Sequence, residues 1–367
     1  MDQERICILA LHFLPGVGDF LVKQLISYCG SAEEVFRQSK VRLLKIPGIG
    51  DITAQAIRHS KTHDRAEKEV NRAEKEGVQL LCFTDKGYPS RLKSIEDAPA
   101  ILYIKGNTNL NHPRTVAIVG TRRSTPYGRY QVERLVEELK VYDALIISGL
   151  AYGIDIHAHK QALKHGLQTI GVLGSGLDII YPATHKDIAN KMIDQGALVT
   201  ENHFGTNPEA HNFPARNRII AGLCDALVVV EAAERGGALI TAEIANTYNK
   251  DVFAIPGNLG NTFSEGCNKL IKINKASLLM SVRDLEYIMN WNSAKSTNDP
   301  QLALNLNGFE SDEKTVMEVL RQKNTPVMID ELSIRTGLSQ GLLSSLLLSL
   351  EFKNAIISLP GKRYREK

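Results

Sequence analysis

Six short runs constrain this chain more than any other feature: "TVAIV" (115–119), "ALIIS" (144–148), "QTIGVL" (168–173), "ALVT" (197–200), "ALVVVE" (226–231) and "DVFAI" (251–255). Each is an almost unbroken apolar segment rich in β-branched residues, as a strand covered on both faces must be. Helical stretches separate them. Strands that alternate with helices imply βαβ units with right-handed crossovers, and so a doubly wound, mostly parallel, Rossmann-like α/β sheet over residues 86–290.

The flanks have other characters. Residues 1–85 read as helical and repeat a phrase, "LPGVGDFLVKQL" at 14–25 and "IPGIGDITAQAI" at 46–57. Pro sets a turn and the glycines permit positive φ ahead of an amphipathic stretch, which is the helix–hairpin–helix (SAM-like) pattern. Neither turn contains Lys or Arg, so phosphate contact and plain packing both remain open. Residues 291–310 are polar and read as a linker. Residues 311–367 show three helical patterns and then "AIISLPGKRYREK", a hairpin, in winged-helix order. The third helix, "SQGLLSSLLLSLEF" (339–352), carries no basic residue, whereas a groove-reading helix presents Arg, Lys, Asn or Gln to bases. This favours a protein-contact or regulatory module.

With 43% hydrophobic residues among 367, a sizeable core can form. A formal net charge of only +3 means that any anion site must concentrate its basic residues locally. No 18-residue apolar run or signal-peptide pattern is present, and Cys7, Cys29, Cys82, Cys224 and Cys267 are scattered without a CxxC. These features predict a cytoplasmic protein with reduced thiols and no membrane partner.

Ligands of open α/β sheets bind beyond the carboxyl ends of the strands. All six segments there contain glycine, and Arg122, Arg123, Arg216, Arg218 and Arg235 fall in them. Glycines let N–H groups converge, and helix N-termini attract anions. "GSG" at 174–176 has Ile179 where a dinucleotide fingerprint has its third glycine, and no GK[ST] exists, so neither a dinucleotide nor an ATP site is expected. His157 and His159 are spaced onto different helix faces, which argues against a metal pair and leaves His159 a packing or hydrogen-bonding residue. Asp155 reads as a helix cap. No nucleophile–base pair has a specific spacing, so no catalytic residue, metal or cofactor is predicted.

Taken together, "TVAIVGTRRSTPYG" (115–128), "SGLAYGIDIHAHKQA" (148–162), "GVLGSGLDIIYP" (171–182), "NFPARNRIIAG" (212–222) and "RGGALITAEI" (235–244) resemble the DprA (Smf) family of DNA-processing proteins. The resemblance covers residues 80–285 densely. It implies an extended Rossmann fold that binds single-stranded DNA, usually as a homodimer, protects incoming strands in natural transformation and loads the RecA recombinase. The family's G-[ST]-R motif falls on Gly120, Thr121 and Arg122, with Arg123 following. Its F-P-x-R-N-R segment falls on Phe213, Pro214, Arg216, Asn217 and Arg218. Its G-G segment falls on Gly236 and Gly237, with Arg235 before and Thr241 after. Gly149, Gly174 and Gly176 complete the expected DNA-contacting set, and Phe213, Tyr127 and Tyr181 offer faces for stacking.

An enzyme remains the competing reading. Rossmann-like phosphoribohydrolases carry G-G-x-G-T-x-x-E, and here Leu239 replaces the third glycine while Thr241 is displaced ahead of Glu243. A nucleotide-sensing module is a third reading. For the arginines, Pro214 predicts that Arg216 lies in a non-helical entry and Arg218 in the first helical turn. Both would then grip one ligand, with Arg216 exposed enough that its removal leaves stability unchanged; the alternative is that the two arginines are internal struts, ion-paired with a carboxylate such as Glu201 or Glu231.

Overall fold

The computed structural model describes residues 3–291, 311–323, 326–353, 355–359 and 361–366. Apart from residue 291, the segment read as a linker lies outside the described residues. The chain divides into two compact units, residues 1–293 and 294–367.

In the first unit every one of the six apolar runs is a strand. Two strands precede them, β1 (Gln79–Cys82) and β2 (Ile101–Gly106), and a short one follows. The six are β3 (Thr115–Val119), β4 (Leu145–Gly149), β5 (Thr169–Val172), β6 (Gly196–Thr200), β7 (Ala226–Val229) and β8 (Asp251–Ala254), and the last is β9 (Ser277–Leu278). The sheet order is β1-β2-β6-β5-β4-β3-β7-β8-β9. From β6 to β9 all neighbours are parallel, while β2 runs antiparallel to β6 and β1 antiparallel to β2. The chain steps outward from β3 to β6, then crosses to β7 on the other side of β3. That reversal opens a crevice at the carboxyl ends of β3, β4 and β7.

Side chains alternate across the sheet. Val116 and Ile118 pack with Val132, Leu135 and Ile154 on one face, and Ala117 and Val119 with Ile219, Ile220 and Leu227 on the other. Because both faces are covered, the strands show no polar alternation, and that is why they read as continuous apolar runs.

The N-terminal segment forms helices as expected through Lys75, with turns at Gly16 (φ 77°) and Gly48 (φ 79°). The expectation of helix through residue 85 is corrected by β1. "QLLC" is a local sequence too short to announce itself, and its strand state comes from antiparallel pairing with Ile101–Gly106. The helical segment also shares its core with the sheet: Leu9, Val22, Ile57 and Val70 join Tyr103, Met192 and Leu198 in one cluster. Among the described residues no helix is long and apolar enough to cross a membrane.

The second unit contains helices Ser311–Lys323, Ile329–Thr336 and Gln340–Phe352, and strands β10 (Val327–Met328), β11 (Ile356–Leu359) and β12 (Arg363–Glu366) in the order β10-β12-β11. This is a winged helix with its own core, including Val316, Leu320, Leu332, Leu343 and Leu347. Leu348 and Phe352 on its third helix are exposed.

Candidate functional site

The segments after β3, β4 and β7 are tied to one another by the backbone. The Thr121 amide donates to the Glu231 carbonyl at 2.7 Å, and the Ile154 amide to the Thr121 carbonyl at 3.2 Å. The buried Glu231 carboxylate also accepts from the Thr125 amide at 2.9 Å. Gly153 sits at φ +80°, and a Cβ there would lie 2.1 Å from the Thr121 carbonyl oxygen. Only glycine allows so close an approach in that conformation.

These ties frame a cavity of about 450 Å³ at the crevice. Gly120, Thr121, Arg122, Phe213, Arg216, Asn217, Arg235, Gly236, Gly237 and Thr241 all line it, as does Asp155. Helix Gly237–Thr247 presents its N-terminus there, and a Cβ on Gly236 or Gly237 would meet only open space. A helix start with uncovered N–H groups is a natural anion seat. Arg122 and Arg235 are exposed at the rim. The Arg122 guanidinium lies 5.7 Å from the centre of the Phe213 ring, and Tyr181 stands beside the same ring at 5.9 Å. A small side pocket, which includes Tyr152, Tyr181 and Gly174, shares Arg122, Phe213 and Arg216 with the main cavity.

Arg216 departs from the sequence expectation. It lies within the regular helix Asn212–Leu223, and it is only 6% exposed. Pro214 is accommodated in the first turn, where a missing N–H costs nothing, so it does not delay the helix. Nη1 of Arg216 donates to the Val172 carbonyl at 3.0 Å, while its Nε is buried and has no hydrogen-bond partner among the described residues. No carboxylate lies within ion-pair distance of it among the described residues. Asp155 is nearest in charge: a Cβ on Gly149 would fall 1.7 Å from Arg216 Nη1 and 2.6 Å from Asp155 Oδ2, so both side chains converge over that glycine. Burial pushes the Asp155 carboxyl up to about 6 against the pull of Arg216.

Arg218 is corrected too. Residues two apart on a helix splay by about 200°. Arg218 therefore faces away from the cavity, where it donates to the Asp97 carbonyl, to Glu201 and, at 3.2 Å, to Asp19. It ties the first hairpin to the sheet and does not share a ligand with Arg216.

Other expected contacts are placed differently. Gly149 lies behind the cavity, its missing Cβ leaving the room that Arg216 fills. Gly174 abuts Phe213 at the side pocket, and a Cβ on Gly176 would meet the His203 carbonyl oxygen at 2.6 Å, away from the cavity lining. Arg123 is exposed on the Arg122 loop without lining the cavity. Tyr127 donates its hydroxyl to the Pro256 carbonyl at 2.6 Å. Asp155 is not a cap: Gly153 precedes helix Ile154–His165, and Asp155 lines the cavity. His159 is the hydrogen-bonding residue expected, bonded to Thr169 Oγ1 and the Gly149 carbonyl at 2.7 Å each, and burial lowers it to about 4. Glu243, which a hydrolase reading needs, is exposed, paired with Lys275 at 2.6 Å, and outside the cavity lining. Sequence reasoning missed Tyr152 and the cavity role of Asp155. Both sit in the quoted "GLAYGID", but nothing in that string reveals which way a side chain points.

Comparison with known proteins matches this architecture. The model of the DNA recombination-mediator protein A family matches residues 79–290, a DprA winged-helix domain matches 296–362, and a SAM-like helix-hairpin-helix tandem matches 8–59. Protein Smf of Synechocystis sp. is 31% identical over the whole of both chains. The crystal structure of DNA processing protein A from Streptococcus pneumoniae superposes with a TM-score of 0.67 at 33% identity, covering 78% of this chain and 98% of that one. The structure of DNA processing protein A from Helicobacter pylori, described for its single-stranded DNA binding mode, gives 0.53 at 30% identity over 58% of this chain and 95% of that one. The α/β unit with its crevice, the hairpin tandem before it and the winged helix after it thus have one common explanation: this chain belongs to the DNA recombination-mediator protein A family, the DprA/Smf family of DNA-processing proteins.

Proposed function

We propose that the cavity binds single-stranded DNA through its phosphates, with little base specificity. The observation that carries this reading is Arg216. A buried guanidinium with an unsatisfied Nε and, among the described residues, no ion-paired carboxylate is costly to the free protein. An anion seated between it, Arg122, Arg235 and the N-terminus of helix Gly237–Thr247 would relieve that cost. Phe213, flanked by Arg122 and Tyr181, supplies a face on which a base stacks whatever its identity. The relative from Helicobacter pylori, with its single-stranded DNA binding mode, supports the same reading.

On this reading the protein protects incoming strands and loads RecA onto them during natural transformation, in the cytoplasm. It works as a homodimer formed near β9, where Leu278, Tyr287 and Ile288 are exposed. On the same reading it binds without turnover, a reading supported by Glu243, the carboxylate at the hydrolase motif's position, being paired with Lys275 outside the cavity lining. The third helix of the wing carries no basic residue, and on this reading that unit is dispensable for strand binding.

Fluorescence anisotropy with an oligo-dT and with a matched duplex, at several salt concentrations, tests the reading. The single strand should bind more tightly, with a log–log salt slope of about −0.7 per phosphate contact. Equal or tighter duplex binding overturns it. RecA filament assembly on single strands, with and without the protein, tests the loading role.

A further inference from the structure

Asp155 has no place in the binding scheme so far, yet it stands in the same cavity as the arginines. It is only 7% exposed, and its Oδ2 and Arg216 Nη1 crowd the space over Gly149. Among the described residues no cation other than the cavity arginines faces it closely. Arg216 approaches from helix Asn212–Leu223 and Arg122 from the segment after β3. On its own helix the next ionisable group inward is His159, which is bonded through both ring nitrogens. His185, from the segment after β5, is bonded through Nδ1 to the Leu150 carbonyl. The Ser148 side chain and the Ala151 amide hydrogen-bond the Asp155 carboxylate and favour its charged form, while the Ser148 hydroxyl also lies against the Ile118 carbonyl.

We propose that Asp155 is an internal counter-ion that competes with the DNA phosphate for Arg216, so that a single strand binds with uptake of a proton at Asp155. The inference rests on the cavity being a phosphate site. In the free protein the carboxylate partly offsets the buried guanidinium. When a phosphodiester enters, two anions would face Arg216 and Arg122 in a confined, poorly solvated space. The carboxylate relieves this by taking one proton from solvent, and the phosphodiester assumes its role as counter-ion. The charge within the cavity is then the same before and after binding. Burial already holds Asp155 near the pH at which such an exchange is cheap. Asp155 thereby sets how strongly the cavity favours an anion: it offsets the Arg216 charge when no strand is present and yields when one arrives.

The experiment compares the full-length protein with Asp155→Asn by anisotropy with a fluorescent oligo-dT from pH 5.5 to 8 at constant ionic strength. Wild type should bind about fiftyfold more tightly at pH 5.5 than at pH 8, because uptake of about one proton above pH 6 weakens binding by nearly one decade per pH unit. Asp155→Asn should bind at pH 8 about as tightly as wild type does at pH 5.5, with that pH dependence gone. Calorimetry of wild type at pH 7 in two buffers of different ionisation enthalpy should count roughly one proton taken up per strand bound. This measurement stands even if the variant folds poorly. Weaker binding by a folded Asp155→Asn, or wild-type binding without proton uptake, overturns the inference, because Asp155 would then position Arg216 rather than compete for it. Absence of oligonucleotide binding by wild type at every pH instead overturns the cavity reading beneath it.

Discussion

Replacing Arg216 by Met separates a ligand-binding arginine from a structural one. The side chain contributes one charged hydrogen bond, to the Val172 carbonyl. Its loss costs about 1.5–3 kcal/mol. Against this, the protein no longer buries a guanidinium whose Nε has no partner, a relief of about 1–3 kcal/mol. Met fills most of the vacated volume with apolar atoms. The two terms nearly cancel where Asp155 is neutral, so at pH 5.5 the variant should unfold within about 1 kcal/mol of wild type. At pH 7.5 wild-type Asp155 is largely ionised, and without Arg216 that charge stands uncompensated. Each further unit by which its pKa rises costs about 1.4 kcal/mol there. Arg216→Ala leaves a void as well and should lose about 2–4 kcal/mol, roughly 2–4 °C of melting temperature per kcal/mol for a unit of this size. The expectation from sequence that this residue is energetically idle is thus replaced by one in which chemistry at the site, not exposure, decides. Strand affinity should fall by about 1.5–3 kcal/mol in both variants, and the log–log salt slope should flatten by about 0.7. Thermal melting at the two pH values and a salt titration of binding check this. Unchanged affinity and slope with a large loss of stability for Met would refute the reasoning, because Arg216 would then be a strut.

Three further outcomes follow from the geometry. Arg218→Met should destabilise the protein by about 2–4 kcal/mol, since Asp19 and Glu201 are left together without their shared cation, while strand affinity measured on the folded variant changes little; a loss of affinity larger than that of Arg216→Met would contradict the assignment. Gly149→Ala should weaken strand binding by displacing the Arg216 guanidinium, whereas Gly237→Ala adds a methyl to open space and should leave a folded protein with near-normal stability; reversed effects in melting and anisotropy would show that the cavity is misplaced. Burial holds His159 at about 4, below its ordinary 6.5, so its contribution to stability is present above pH 6.5 and is lost as pH falls towards 4; urea titrations should show wild type losing up to about 3 kcal/mol more than His159→Gln across that interval, and parallel curves would exclude it.

Local sequence pattern is enough to specify the sheet. Apolar, β-branched segments such as Val116–Val119 and Leu227–Val229 are driven inside whatever surrounds them, and the helices between them leave a parallel arrangement with few alternatives. It also determined the turns at Gly16 and Gly48, the winged-helix order, and most residues of the cavity, because the strand ends of a doubly wound sheet must converge. Tertiary structure alone decided what each residue does there. β1 is a strand because Ile101–Gly106 pairs with it. Arg216 and Arg218, identical in type and two residues apart, part company because the helix turns one toward Val172 and the other toward Asp19, which lies 199 positions away in the chain. Gly149 matters for the guanidinium it admits, and Asp155 became a cavity carboxylate rather than a cap because Gly153 ends the preceding turn. Propensity and apolar periodicity act over a few neighbouring residues, but charge, burial and hydrogen bonding at a site depend on groups brought together from distant segments, and only the folded chain brings them together.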